Sequence, residues 1–153
     1  MKIKAQGIVP VMLTPFTPDN RIDWEGLERL VEWYIANGAD TLFAVCQSSE
    51  MQKLSLEERV ELSKKVVSLA AGRVRVISSG HISESRDDQR AELVAMAETG
   101  IDALVLVSNR LDAGNAGTEA FRSALDGIFE LAPQRPGPRS VRMPSSLSPP
   151  LER

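Results

Sequence analysis

Short, nearly unbroken apolar runs alternate with longer amphipathic stretches from Gly7 to about Ala132. The first run, Gly7 to Thr14, reads as a strand buried on both faces. Pro10 within it has no N–H to donate, so an edge or an irregular strand start suits it best. Asp23 then stands as an N-cap before apolar positions Leu27, Leu30, Val31, Tyr34 and Ile35, spaced as one face of a helix that stops at Gly38. Thr41–Val45 forms the next strand. Ser55 followed three residues later by Glu58 predicts a capping box opening a helix that ends at Gly72. The third strand is Val74–Ser78, followed by a helix from Ser83 or Ser85 to Thr99 and a stop at Gly100. The fourth strand is Ala103–Val107, and a last helix carries Phe121, Leu125, Ile128 and Phe129 on one face before Pro133.

Four strand-plus-helix units with apolar strands predict an α/β fold with a parallel sheet. Gly38–Val45 and Gly100–Val107 also echo each other, each a helix stop, a turn aspartate and a buried strand, 62 residues or two units apart. The pattern fits the N-terminal half of a (β/α)8 barrel. A complete barrel takes about 250 residues, and this chain has 153. An open doubly wound sheet satisfies the same alternation, but no Gly-rich phosphate fingerprint follows the first strand. The expected division is a partial barrel over 1–132 and an irregular tail over 133–153, which holds six prolines, four arginines and four serines with no apolar period.

Bulk composition narrows the function. One cysteine rules out a disulfide framework or a Cys-rich metal site, and one histidine argues against a zinc or iron enzyme. No metal and no cofactor is expected. No stretch approaches the ~20 apolar residues of a membrane span, and Met1–Gln6 lacks the apolar run of a signal peptide. A cytoplasmic protein is expected. Up to residue 132 the chain has 14 basic and 20 acidic side chains, while the tail sets four arginines against Glu152. With an acidic body and no interleaved aromatics, the tail is not read as a nucleic-acid arm.

The candidate chemistry gathers where the strands end, the active face of a βα barrel. Those loops begin Thr14-Pro15-Phe16, Cys46 to Glu50, Ser79-Gly80-His81 and Ser108-Asn109-Arg110. Three of the four place hydroxyl-bearing residues beside a strand end, and hydroxyls with backbone N–H groups suit a small carboxylate. Arg110 adds a possible bidentate clamp.

Leu13 to Phe16, the acidic turn Pro18 to Asp23, and the second loop ending in Glu50 followed by Leu54 to Arg59 carry a resemblance. Their order and spacing resemble the dihydrodipicolinate synthase / N-acetylneuraminate lyase family of pyruvate-dependent class I aldolases, over roughly residues 6–112. The resemblance implies a (β/α)8 barrel and homo-oligomeric full-length relatives. It also implies a Schiff base between a strand-six lysine and pyruvate or another 2-oxo acid. The family's second-strand signature Gly-[Ser/Thr]-Thr-Gly-Glu falls on Cys46, Gln47, Ser48, Ser49 and Glu50. Ser48 keeps the carboxylate-binding hydroxyl, Gln47 replaces a relay hydroxyl, and both glycines are gone. Asn109, Arg110 and Leu111 stand where the synthases have Pro-Tyr-Tyr. The resemblance is therefore to a divergent member, with Thr14, Gln47, Ser48 and Arg110 as expected substrate contacts and Glu50 as a loop anchor.

The family's catalytic tyrosine and lysine belong to strands five and six, and no strand is recognisable past Val107. Lys2, Lys4, Lys53, Lys64 and Lys65 do not sit at an equivalent strand end. Without a desolvated amine there is no iminium electron sink, so a truncated, inactive lyase is expected. The tail suggests a cause. Codons compatible with Arg135–Pro144, read one base out of frame, can encode Asp-Leu-Ala-Leu-Gly-Leu-Tyr-Glu-Cys-Pro, which resembles the family's fifth strand. The alternative is a genuine disordered Pro/Arg/Ser tail, and resequencing the coding DNA decides between them.

Other readings stay open beside these. Gln47 and Ser48 can be ordinary polar loop residues, His81 a base or a polar strand-end residue, and Arg110 a surface ion pair. Cys46 reads as a buried, inert thiol, and Phe16, Trp24 and Trp33 as packing. Two non-catalytic functions compete with the fragment of a lyase. One is a half-barrel interaction module that self-associates through open sheet edges; the other is a simple 2-oxo acid binder.

Overall fold

The computed structural model describes residues 7–111 and 114–131, so the expected tail lies outside the described residues. Three parallel strands, β1 (Thr41–Phe43), β2 (Arg75–Ser78) and β3 (Ala103–Leu104), form a sheet in that order. Leu42 pairs with Val76, Phe43 with Ile77, and Ile77 with Ala103. The helices are α1 (Trp24–Ala36), α2 (Leu56–Ala70), α3 (Arg86–Ala97), α4 (Ser108–Leu111) and α5 (Thr118–Leu131). Strand and helix alternate along the chain, which is the partial barrel expected.

Local chemistry starts the helices. The Asp23 carboxylate accepts from Gly26 N at 2.9 Å and opens α1. Ser55 and Glu58 form the expected reciprocal cap of α2, with Ser55 N donating to Glu58 Oε2 at 2.8 Å. Of the two possible starts for α3, Ser85 is the cap, its hydroxyl accepting from Asp88 N.

The first expected strand is corrected. Residues 8–14 run parallel to β1 but meet it only as isolated bridges, Ile8 with Ala39 and Val11 with Phe43. Pro10 contributes only its carbonyl, which accepts from Phe43 N at 3.1 Å, and Met12 N donates to Phe43 O at 3.0 Å. The segment is thus an irregular edge, and it is not buried on both faces: Val11 is 45% and Leu13 58% exposed. Phe129 of α5 is likewise exposed rather than turned inward with its neighbours.

Pairing along the strands assigns the two sheet faces. Ser78 Oγ lies 2.8 Å from Ser63 Oγ of α2, so Ser78, and with it Val76, Leu42, Ala44 and Met12, face the helices. There they join Leu27 and Val31 of α1, Leu62 and Val66 of α2, and Met96 of α3 in one core. Each fully buried Leu or Val in it is worth about 2 kcal/mol. Alternation puts Val11, Leu13, Phe43, Ile77 and Val105 on the other face. None of these five belongs to the core, and all are exposed or half-exposed.

Candidate functional site

The ends of the parallel strands feed three loops, and each is fixed by a different device. After β1 the chain turns at Gln47 to Glu50. Ser49 closes this turn from within: its buried hydroxyl accepts from Cys46 N at 2.7 Å and donates to Cys46 O at 2.8 Å. Thr14 holds the turn from outside, donating its hydroxyl to Ser49 O at 2.8 Å. Thr14 is therefore buried and tied to the loop, while Gln47 and Ser48 stand exposed at the tip. Glu50 takes a left-handed backbone (φ 57°), and its carboxylate pairs with Lys53 at 2.7 Å.

The turn leaves several donors free. Among the described residues, none accepts from the N–H of Gln47, Ser48 or Ser49, or bonds the Ser48 hydroxyl. Three consecutive free amides beside a hydroxyl form a concentration of donors suited to an anionic oxygen.

The loop after β2 rests on a buried ion pair. Arg59 of α2 and Glu92 of α3 are each 4% exposed. Arg59 Nη2 donates to Glu92 Oε1 at 3.1 Å, its Nε to Ser55 O at 3.2 Å, and its Nη1 to Gly80 O. Glu92 also accepts from Ile82 N at 2.8 Å, Ser83 N at 3.1 Å and Ser83 Oγ at 2.9 Å. Burial pushes the Glu92 carboxyl up, but the bonds from Ser83, Ile82 and Arg59 outweigh it and hold the group below the usual carboxylate range. Sequence reasoning did not single out this pair. Its signal was there: Arg59 shares a helix face with Leu62, Ser63 and Val66, and Glu92 one with Gln89, Leu93 and Met96. A base and an acid on the core faces of successive helices can survive burial only if paired.

His81 links the second loop to the third. It is fully buried, and its Nε2 accepts from Val107 N at 2.6 Å, which requires a neutral ring with the proton on Nδ1. Nδ1 has no partner among the described residues, nor does the buried Ser79 hydroxyl. Burial pushes the His81 pKa down; Glu92 opposes this and Arg110 reinforces it. A histidine kept neutral by the fold stabilises it above the unfolded pKa of about 6.5, and that contribution fades as pH falls through 6.5 towards the lower folded value. Thermal midpoints of the wild type are thus expected to drop as pH falls below about 6.5. His81→Gln, which keeps an acceptor for Val107 N, should flatten that slope, and an unchanged slope in the variant would refute the assignment.

Arg110 lies in α4, half-buried. It lines a cavity of about 250 Å³ between α3, α4 and α5, with Arg86, Arg90 and Asp87. Thr14, Gln47 and Ser48 do not line it. The structure thus brings Thr14 to the turn bearing Gln47 and Ser48, and sends Arg110 to a separate cavity. The described lysines are not in a catalytic setting. Lys64 and Lys65 lie on α2, and the hydrogen bond from Lys53 to Glu50 raises that amine's pKa, the reverse of what a nucleophile needs. Among the described residues there is no His/Cys/Asp/Glu group able to hold a metal ion, and no helix long and apolar enough to cross a membrane.

Comparison with known proteins agrees with the partial-barrel fold. The model of the dihydrodipicolinate synthetase family matches residues 4–109. A 4-hydroxy-tetrahydrodipicolinate synthase of Nitrosococcus oceani is 36% identical over 101 residues, covering 66% of this chain and 34% of that protein. Its counterpart in Methylococcus capsulatus is 39% identical over 103 residues, covering 67% of this chain and 35% of that protein. This chain spans about a third of the length of those curated relatives. Among solved structures, the dihydrodipicolinate synthase of Acinetobacter baumannii complexed with pyruvate superposes with a TM-score of 0.71 at 29% identity, covering 84% of this chain and 43% of that one. The 4-hydroxy-tetrahydrodipicolinate synthase of Methylacidiphilum fumariolicum gives 0.74 at 26% identity, covering 84% and 41%.

Proposed function

Since the chain belongs to the dihydrodipicolinate synthetase family, we propose that its Cys46–Glu50 turn holds the carboxylate of a small 2-oxo acid such as pyruvate, and that this chain alone does not turn the acid over. The observation that supports binding is the set of free donors at the turn: the amides of Gln47, Ser48 and Ser49 beside the Ser48 hydroxyl. Hydrogen bonds to a charged group are worth about 1.5–3 kcal/mol each, enough together for millimolar affinity after the costs of association. Ser49 and Thr14 act behind the tip, holding the turn in shape rather than touching ligand. Arg110 is left out of this reading because the cavity it lines shares no residue with the turn.

Lack of turnover follows from the amines. A 2-oxo acid becomes an electron sink only after condensing with a neutral amine, and among the described residues Lys53 and Lys64 are exposed and Lys65 lies partly exposed on α2. We place the protein in the cytoplasm, with no cofactor, and read it as a lyase relative that retains recognition without chemistry.

Calorimetry with pyruvate tests the binding half. Heat of binding at millimolar ligand is expected, and Ser48→Ala should weaken it about tenfold, the loss of one hydrogen bond to a charged group. No heat from the wild type would end the binding claim. Borohydride reduction in the presence of pyruvate tests the other half. The mass of the chain should stay unchanged, and a covalent adduct would show that a lysine here does form the imine.

A further inference from the structure

We infer that the open face of the sheet is closed by a second copy of this chain, the two related by a twofold axis running along the strands. The inference is independent of the carboxylate reading. It starts from the residues that alternation puts opposite the helices: Val11 and Leu13 on the edge segment, Phe43, Ile77, and Val105 beyond β3. They are apolar, adjacent across the sheet, and exposed or half-exposed, with Val9 a further 45% exposed on the same segment. A contiguous apolar face of this kind is an interaction surface rather than a solvent surface.

Both margins of the same sheet also carry unmet backbone groups. Among the described residues nothing bonds the backbone of Val9 or Leu13 at one margin, or of Leu106 at the other. A twofold axis along the strands sets the first margin of each copy beside the last margin of the other. It keeps every strand parallel, so one symmetric contact meets both needs. A partner with one free edge would leave the other open. Among the residues of β1, β2 and β3, the charge on this face is Arg75, exposed at the start of β2 where it pairs with Thr41.

In the closed pair all strands end at the same rim. Each copy then presents its Cys46–Glu50 turn there, two carboxylate-sized donor sets on one mouth.

Light scattering coupled to size-exclusion chromatography tests this on the 153-residue chain. The expected mass is twice 16.7 kDa. A Val11→Asp, Leu13→Lys double variant should shift it to the monomer with far-ultraviolet circular dichroism unchanged, because both side chains are exposed in the single chain. A second experiment reports the geometry: with cysteines at Val9 and Leu106, mild oxidation should link two chains, since the two positions lie on opposite margins of one sheet. A wild-type monomer at tens of micromolar overturns the inference, whether the face stays bare or is covered by residues 132–153. So does a dimer or larger aggregate indifferent to the double variant, or a cysteine pair that links only within one chain.

Discussion

Glu92→Ala is expected to lower stability by about 3–5 kcal/mol, because it leaves the Arg59 guanidinium buried without its counter-charge. Arg59 retains only the carbonyls of Ser55 and Gly80. The amides of Ile82 and Ser83 lose their acceptor in the same step, so the change costs several hydrogen bonds as well as a charge pair. Urea denaturation measures the loss, and a change under 1 kcal/mol would mean that water reaches Arg59. The double variant Arg59→Met, Glu92→Leu should recover most of the stability, since apolar groups of similar volume commonly replace a buried pair without penalty. Recovery would assign the single-variant loss to the stranded charge rather than to general repacking.

The same carboxylate gives an acid signature distinct from that of His81. Its folded pKa lies below the unfolded value near 4.3, so its contribution is present above that value and fades as pH falls through the lower folded one. Glu92→Gln should remove this low-pH loss and deepen the loss below about pH 6.5 that belongs to His81, because the carboxylate that opposes the downward shift of His81 is gone. One network thus connects α2, α3 and the second loop. The second loop in turn grips the third, through His81 to Val107 and through Gln89 to the carbonyls of Ser83 and Arg110.

What was legible in the chain divides by the distance over which a force acts. Asp23, Ser55 and Ser85 cap their helices through amides three residues away, so the helix starts could be read from local pattern. Strand ends could not. Val45 and Val105 fit the apolar run, yet they leave the regular ladder, where Val45 O accepts from Ser79 N and Val105 N donates to Ser78 O. The helical turn α4 was read as loop because four residues carry no period. In the site, Ser48 at the loop tip was readable from motif order. Thr14 was expected to face ligand, but its hydroxyl reaches the Ser49 carbonyl 35 positions away. Nothing local to Leu13-Thr14-Pro15 encodes that bond. Arg59 and Glu92 stand 33 positions apart and show only as charges on the wrong helix faces.

Gly80→Ala should rank close behind the Glu92 change, costing about 2–5 kcal/mol from two separable sources. Gly80 has φ +140°, a region that side-chain-bearing residues rarely enter. A Cβ there would also lie 2.7 Å from Met96 Cγ and 2.9 Å from its sulfur, and Met96 is fully buried in the core. Methionine is flexible, but a close-packed core gives it little room to withdraw. Relief by moving residue 80 instead would draw its carbonyl away from Arg59 and so load the ion pair. Gly38→Ala separates the sources: Gly38 also has positive φ, at +86°, but a Cβ there meets nothing within 4 Å. That control should cost about 1–2 kcal/mol from backbone strain alone. A Gly80→Ala cost no greater than the control's would show that Met96 yields freely. A greater one means that the loop bearing His81 is held against α3 by steric contact as well as by charge.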